Sequence, residues 1–275
     1  MTAIADAPAA TGAWTGQTTT LCQAELSLVQ AGHGEPLLLL PRDNGHPPRR
    51  QFASLLAAGR RVTYPHHPGF AGTPNPADWE WLVNVRDLAV VELQLVRALG
   101  LDRPVLVGLG FGGWVAAEMA TMAAGAFSAL VLVAPMGIKP TDGFIYDQFL
   151  VGTESYARMG FTEQAAFEAE YGAEPAFEQL DAWETDRAMT SRLAWKPYMY
   201  NTALPRLLAG VDIPALVIAG DADRIVPLEC ARRYAEALPN ATLETMPGCG
   251  HAIDVEYPDA LAAAINAFLA RTPHR

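Results

Sequence analysis

One stretch of the chain joins an apolar run, a glycine turn and a helix in an arrangement that suits a ligand site. Residues 105–120 read VLVGLGFGGWVAAEMA, in which an apolar run passes through four glycines and continues as a helical pattern. Glycines allow a sharp turn and a close approach of strand and helix. The start of such a helix directs its unpaired N–H groups toward whatever lies above the turn. At the centre of the turn stands Gly110, which offers no side chain for chemistry.

Two later stretches supply an acid and a histidine. Asp223 lies in GDADRIVP (220–227) and His251 ends GCGH (248–251), and both follow runs that are typical of strands. A carboxylate that accepts a hydrogen bond from an imidazole holds the ring in one tautomer and stabilises its protonated form. A histidine held in this way can remove a proton from a substrate or from water.

These three stretches resemble the α/β-hydrolase superfamily and occur in that family's order of nucleophile, acid and histidine. The resemblance covers most of the chain and implies an α/β-hydrolase fold. It also implies that Asp223 is the acid, that His251 is the catalytic histidine and that Gly110 stands at the position of the nucleophile. Because glycine cannot act as a nucleophile, the resemblance excludes a covalent serine intermediate.

The oxyanion side of the site departs from the family pattern as well. The resemblance implies that the Phe111 N–H is one oxyanion donor and that Leu109, just before the turn, also belongs to the oxyanion side of the pocket. After the strand PLLLL the family commonly has His-Gly, which supplies another donor, whereas this chain has Arg42, Asp43 and Asn44. We expect either a backbone N–H of this loop to point into the site or its polar side chains to contact a substrate.

Three functional hypotheses are compatible with a site that lacks a nucleophile. In the first, His251, oriented by Asp223, is a general base that acts on the substrate or on a water beside Gly110. The protein would then be a hydrolase or a lyase-type enzyme for a small apolar or aromatic organic molecule. In the second, the site binds a small molecule without turnover, and in the third the chain is a serine hydrolase inactivated at residue 110. The acid behind the histidine favours the first, because a binding protein has little need of it.

The elements that must position these residues follow from the hydrophobic pattern. Short apolar runs alternate with helical patterns, which is typical of a parallel sheet covered by helices on both faces. The runs predict a mostly parallel sheet of eight strands, beginning with a strand or hairpin in TTTLCQAELSLVQAG and continuing at 36–41, 61–65, 104–110, 129–135, 214–220 and 241–248. Helical patterns lie at 83–100, 112–125, 228–240 and 258–270.

The alternation stops between residues 137 and 212, where aromatic helical patterns occur without an apolar strand run. We therefore predict a helical cap over 137–212, inserted into an α/β core of residues 19–136 and 213–275, and a mobile tail over residues 1–18. Four aromatic residues of the cap are candidates for the wall of an apolar ligand pocket, namely Tyr146, Phe149, Trp195 and Tyr198.

Composition limits the partners. The formal net charge is −11 and the basic residues form no cluster larger than a pair, so neither nucleic acid nor an anionic membrane is an expected partner. No apolar run approaches the roughly 18 residues of a membrane helix, and the opening residues lack the pattern of a signal peptide, which favours a cytoplasmic protein. The three cysteines lack metal-ligand spacing. We expect a small-molecule substrate or ligand, no metal and no cofactor, and the sequence leaves the oligomeric state open.

Overall fold

The structure, a computed structural model, describes residues 14–272 of the chain. Its centre is one sheet of eight strands, which are β1 (Thr15–Leu21), β2 (Ala24–Ala31), β3 (Pro36–Leu40), β4 (Arg61–Pro65), β5 (Val105–Leu109), β6 (Ala129–Val133), β7 (Ala215–Gly220) and β8 (Ala241–Met246). They lie in the order β1-β2-β4-β3-β5-β6-β7-β8. The pairs β1–β2 and β2–β4 are antiparallel and the other five are parallel. This confirms the predicted α/β architecture with a mostly parallel eight-stranded sheet.

Ten α-helices occur in the part of the chain that the structure describes. They are α1 (Gln51–Ala57), α2 (Val85–Ala98), α3 (Phe111–Ala123), α4 (Thr153–Met159), α5 (Gln164–Tyr171), α6 (Phe177–Ala194), α7 (Leu204–Leu207), α8 (Leu228–Ala237), α9 (Ile253–Glu256) and α10 (Pro258–Arg271). The helices α2, α3 and α10 begin and end within two residues of their predicted positions, whereas α8 begins as predicted but ends three residues earlier, at Ala237. α2, α8 and α10 each carry an apolar stripe, and α3 is buried along most of its length.

The central strands β3, β5, β6 and β7 are buried because helices cover both faces of the sheet. Their sequences are continuous apolar runs such as PLLLL and ALVLV rather than alternating ones, as expected for parallel strands. One apolar core lies between the sheet and α2, α3 and α8, and a second lies between the sheet and α1 and α10. The loops that follow β3, β5, β7 and β8 all leave the sheet at its carboxyl edge, where α/β sheets place their ligand sites.

The first strand begins earlier than the sequence suggested. β1 starts at Thr15 and pairs with β2 along its whole length, which corrects the expectation of a mobile tail for residues 15–18. Threonine is favoured in strands, and pairing with β2 satisfies the backbone of this polar stretch. The remainder of the expected tail, residues 1–13, lies outside the described residues. The tight turn at residues 22–23 carries no Asn-Gly or Asp-Gly signal, so the sequence gives little sign of the hairpin's register.

Between β6 and β7 the chain forms the helices α4 to α7. We refer to residues 137–212 as the helical segment; within the described chain it adds no strand to the sheet. Many hydrogen bonds attach it to the rest of the fold, among them those from Tyr156 Oη to Asp43 Oδ2 (2.8 Å), from Ala71 N–H to Asp186 Oδ1 (2.7 Å) and from Asn201 Nδ2 to Glu118 Oε1 (2.7 Å). Because Asp43 and Ala71 follow β3 and β4, the helical segment packs over the carboxyl edge of the sheet.

Candidate active site

Gly110 forms the turn between β5 and α3 with a backbone conformation that other residues rarely adopt. Its φ is 51° and its ψ is −111°, and a β-carbon is strained at such a positive φ. The Gly110 N–H donates to the Val133 carbonyl (2.8 Å), and the Gly110 carbonyl accepts from the Met136 N–H (3.1 Å). The backbone of the turn is therefore anchored to the end of β6 and needs no side chain at residue 110.

The same turn brings α3 against the end of β3. A β-carbon at position 112 would lie 2.3 Å from the Pro41 carbonyl oxygen, so Gly112 can carry no side chain without moving β3. The flanking residues Leu109 and Phe111 are both buried. The Phe111 N–H stands at the first position of α3, where the helix itself supplies no acceptor. It is thus placed where a ligand oxygen above the turn could accept its hydrogen bond.

The structure brings Asp223 and His251 together as the sequence predicts. His251 Nδ1 lies 2.8 Å from Asp223 Oδ2, and both side chains are buried. The other carboxylate oxygen of Asp223 accepts from the backbone N–H groups of Ile225 (2.7 Å) and Val226 (2.9 Å). These three hydrogen bonds fix the carboxylate, which in turn leaves His251 Nε2 as the ring nitrogen that is available for chemistry.

His251 Nε2 faces Gly110. A β-carbon at position 110 would lie 2.9 Å from Nε2 and 3.5 Å from Cε1, so the imidazole covers the side of the turn on which a residue-110 side chain would stand. Nε2 is buried and has no hydrogen-bond partner among residues 14–272. A buried ring nitrogen without a hydrogen-bond partner lowers the stability of a fold. Such a nitrogen is typical of a group that binds a water or a substrate.

The environment of His251 favours its protonated form. Burial alone lowers the pKa of an imidazole, but the charge and the hydrogen bond of Asp223 act in the opposite direction, and the charge of Asp43 adds to them. The result is that the pKa of His251 is raised above its ordinary value of 6.5. An imidazolium formed by proton abstraction is consequently stabilised where it arises.

The loop after β3 crosses directly beside the turn. Arg42 and Gly45 close a tight turn, with the Gly45 N–H donating to the Arg42 carbonyl (3.1 Å). Arg42 Cγ lies 3.3 Å from the β-carbon position at residue 110. The guanidinium is buried and pairs with the buried carboxylate of Asp254, at 3.4 Å between Nε and Oδ1. Arg42 therefore forms one wall of the site while its charge is balanced by Asp254.

Asp43 lies on the same turn and is also buried. Its Oδ2 accepts a hydrogen bond from the Tyr156 hydroxyl of α4 at 2.8 Å. Asn44, the third residue predicted for this loop, is half-buried on the turn. The prediction that polar side chains of this loop belong to the site thus has a geometric counterpart in Arg42 and Asp43, which both lie close to the residues around Gly110.

The sequence matches a known protein family over most of its length. Residues 33–264 match the model of a family described as "Alpha/beta hydrolase family", which is most of the 275 residues. The chain belongs to the alpha/beta hydrolase family.

Relatives of this hydrolase are found among curated proteins and solved structures. It is 29% identical over 237 residues to a proposed carbamate hydrolase, RutD, of Caulobacter sp. (strain K31), covering 80% of this chain and 84% of the relative. It is 26% identical to a 2-hydroxymuconate semialdehyde hydrolase of Pseudomonas putida, covering 89% and 90%. A solved serine hydrolase involved in carbazole degradation, the CarC enzyme, superimposes with a TM-score of 0.74 at 22% identity, covering 94% and 99%. The last likeness shows the fold.

Several buried polar residues of the hydrolase were not found by sequence reasoning. Tyr156 and Asp186 come from the helical segment and Asp254 from α9, and all three side chains are buried. Asp254 follows His251 by three residues, which could have drawn attention to it. A tyrosine in SYARMGF and an aspartate in WETDRAM give no such sign, because their partners lie more than a hundred residues away in the chain.

A second buried histidine–carboxylate pair packs against residues that form the candidate site. His67 Nδ1 lies 3.0 Å from Glu92 Oε1, and both side chains are fully buried. His67 Nε2 lies 3.1 Å from the Pro41 carbonyl oxygen, and because a carbonyl only accepts, Nε2 donates. The His67 ring also packs edge-on against Phe111, with ring centroids 5.8 Å apart. The pair thus contacts both the loop after β3 and the first residue of α3.

The predicted cap aromatics form one group. The ring centroid of Phe149 lies 5.2 Å from that of Trp195 and 6.2 Å from that of Tyr198. The Tyr198 hydroxyl donates to the Tyr146 carbonyl (3.1 Å). Phe149 and Trp195 line a surface groove of about 570 Å³ that also includes Val83, and Trp195 is 54% exposed. This end of the group therefore faces the surface rather than a closed chamber.

Residues 14–272 contain neither a metal-binding cluster nor a membrane-spanning helix. No three histidine, cysteine or acidic side chains in that range are arranged to hold a metal ion. In the same range, no helix combines the length and the apolar character needed to cross a membrane.

Proposed function

We propose that the protein hydrolyses a small organic substrate without a covalent intermediate, with His251 as the general base and Gly110 in the place of the family's nucleophile. The observation that carries the proposal is His251 Nε2, buried, without a partner in the described residues, and facing Gly110. Asp223 orients the ring through Nδ1. A carboxylate in this position serves base catalysis, whereas binding alone would not need it.

In the proposed mechanism a water occupies the space beside Gly110 that a serine hydroxyl would otherwise fill. His251 Nε2 takes a proton from this water as its oxygen attacks the acyl carbon of the substrate. The oxygen that becomes negative accepts a hydrogen bond from the Phe111 N–H. The imidazolium, stabilised by Asp223, then returns the proton to the leaving group, and the free acid and the leaving group depart.

The relatives support a small organic substrate, since one is named for a carbamate and another for hydroxymuconate semialdehyde. We propose that the helical segment (137–212) acts as a cap, because it packs over the carboxyl edge of the sheet and contributes Tyr156 and Asp186 beside the turn. Of its aromatic group, Tyr198, on which the charge of Asp43 acts, supplies apolar surface for the body of the substrate, whereas Phe149 and Trp195 line the surface groove.

A panel of activated aryl esters and carbamates tests the proposal with the natural chain and two variants. His251→Ala is expected to lower kcat/KM by about 100- to 10,000-fold, because it removes the base. Asp223→Asn is expected to lower it as well, since the amide can fix the wrong tautomer. His33→Ala, an exposed histidine, serves as the matched control and is expected to leave the rate unchanged.

The pH profile of the same reaction separates a base from a mere contact. His251 must be neutral to accept a proton, so kcat/KM is expected to rise with pH and to level off above the raised pKa of His251. In Asp223→Asn the rise of kcat/KM is expected at lower pH, because the negative charge that raises the pKa of His251 is removed. Turnover that is unaffected by His251→Ala, or the absence of turnover together with tight ligand binding, would count against the mechanism.

A further inference from the structure

The charges around Gly110 do not balance within the site. Arg42 is paired with Asp254, and His251 is paired with Asp223. Asp43 has no ion-pair partner within 4.0 Å among the described residues, and its bound donor is the neutral Tyr156 hydroxyl. The charge of Arg42 acts on Asp43 as well, but this one guanidinium already pairs with Asp254 and cannot balance both carboxylates. A buried carboxylate without a paired cation lowers the stability of the fold. A functional role would account for the burial of Asp43.

Asp43 lies among groups from both parts of the fold. Its charge acts on His251 after β8, on Tyr156 of α4, on Asp186 of α6 and on Tyr198 after α6. Asp43 follows β3 at the sheet edge and is bound by Tyr156 of α4 at 2.8 Å, so it stands between the sheet edge and the helical segment. His251 Nε2, which is unpartnered and buried, faces the turn that Arg42 and Asp43 cross.

Asp186 is a second buried carboxyl group, beside Gly45 of this turn. Its Oδ1 accepts from the Ala71 N–H (2.7 Å), and its Oδ2 lies 3.1 Å from the β-carbon position at Gly45. No cation lies within 4.0 Å of Asp186 in the described chain. Burial, reinforced by the charge of Asp43, raises the pKa of Asp186 well above its ordinary value. Two acidic groups therefore lie at the Arg42–Gly45 turn, and within the described residues neither forms an ion pair with a basic side chain within 4.0 Å.

We propose that Asp43 is a specificity-determining residue that binds a protonated amino group of the substrate, with Tyr156 holding the carboxylate in place and Asp186 beside the same turn. The proposal rests on the function above, in that the acyl carbon of the same substrate lies beside Gly110. An ammonium group supplies the missing positive charge and up to three donors, which two carboxyl groups can accept. A hydroxyl group would leave the charge of Asp43 unbalanced.

Binding of three small aromatic probes tests this assignment without requiring turnover. Benzylamine, benzyl alcohol and phenylacetate share a ring and differ in the charge of the group they present. By isothermal titration calorimetry with the 275-residue chain, benzylamine is expected to bind on the order of tenfold to a hundredfold more tightly than benzyl alcohol, as for a hydrogen bond to a charged group. Phenylacetate is expected to bind most weakly, because Asp43 repels it.

Two variants locate the effect and one controls for net charge. Asp43→Asn keeps the shape and is expected to remove the preference for benzylamine over benzyl alcohol. Tyr156→Phe is expected to reduce it, since the carboxylate loses its fixed donor. Asp181→Asn removes the same charge from an exposed position of α6 and is expected to leave the preference intact.

Several results would overturn the proposal. These are equal binding of amine and alcohol, no binding of the amine at millimolar concentration, or a preference for the amine that survives Asp43→Asn in a folded protein. His251→Ala is expected to abolish turnover but to keep the preference for the amine. Failure of the proposed hydrolysis would thus appear as absent turnover with intact amine binding, and failure of the amine site as turnover without the preference.

Discussion

At residue 110 the backbone is set for a turn that tolerates a side chain only under strain. In Gly110→Ser the β-carbon would adopt a φ near 51° and would stand 2.9 Å from His251 Nε2 unless the imidazole shifts by a few tenths of an ångström. We expect the substitution to lower the free energy of unfolding by about 1–3 kcal/mol. We also expect slow hydrolysis of activated esters through a covalent acyl-serine, detected as a mass increase of the quenched protein.

Gly110→Ala provides the control, because it introduces the same strain without a hydroxyl group. It is expected to lose similar stability in urea unfolding and to form no acyl-enzyme. A folded Gly110→Ser protein that never becomes acylated would mean that the Arg42–Gly45 turn or Asp43 no longer permits a tetrahedral oxyanion, and that acyl transfer through residue 110 is closed.

The sequence predicted those site residues that the neighbouring residues in the chain make recognisable. Asp223 and His251 follow strands in recognisable motifs, and the structure places their side chains in contact. Asp43 was expected at the site because it follows β3, but its contact with Tyr156 was not expected. That contact depends on how α4 lies over the sheet, which hydrophobic pattern does not specify.

At the scale of elements, the pair His67–Glu92 connects α2 to the loop after β3. Glu92→Leu would leave His67 as a buried imidazole without its carboxylate partner, and we expect a loss of about 3–5 kcal/mol in the free energy of unfolding. Glu92→Gln can still hydrogen bond to Nδ1 and is expected to lose less. Urea unfolding measures both, with the exposed Glu178→Leu of α6 as the control.

The pair also makes a prediction about the site that a simple packing role would not. Because His67 contacts Pro41 and Phe111, Glu92→Leu is expected to lower kcat more than it raises KM in protein that remains folded. If catalysis were unchanged at a temperature where the variant is folded, the pair would serve stability alone.

The elements themselves were predicted to different degrees. β3, β5, β6 and β7 were evident because a continuous apolar run of five or six residues is typical of a buried parallel strand. β1 was only partly recognised, since its polar sequence TGQTTTL is held by pairing with β2 rather than by burial. Short helices such as α9, with four residues, have too little sequence for a periodic pattern.

At the scale of the whole molecule, the stacked rings of His46, Tyr64 and His66 predict that acid lowers the stability of the fold. The ring of His46 stacks on Tyr64 at 3.7 Å and on His66 at 4.0 Å between centroids. Burial lowers the pKa of His46 well below 6.5, and it lowers the pKa of His66 to about 4. Both rings are therefore neutral in the folded protein under conditions in which the unfolded chain would already hold their protons.

This difference sets the sign of the pH dependence. Since the unfolded chain binds these protons first, the stability contribution is complete above about pH 6.5 and is lost as the pH falls toward 4. For His66 the loss is about 1–3 kcal/mol. His66→Phe keeps a ring in the stack without a titrating group, so its urea-unfolding free energy is expected to fall less between these pH values than that of the natural chain. An equal fall would assign the acid sensitivity to other groups.

At the turn between β5 and α3, a substitution to glycine at residue 110 and a substitution of that glycine have unequal effects on stability. Gly112 fits tightly against Pro41, and this packing does not depend on a reaction at residue 110. The turn therefore keeps its shape even when residue 110 takes no part in catalysis. A mutation to glycine there relieves strain, while a mutation away from it costs about 1–3 kcal/mol of a total that is typically only about 5–15 kcal/mol for a folded domain. Only selection for a reaction at residue 110 can hold a side chain in that place. A lineage that has reached glycine must first lose stability before it can return, which makes the step behave as an evolutionary ratchet.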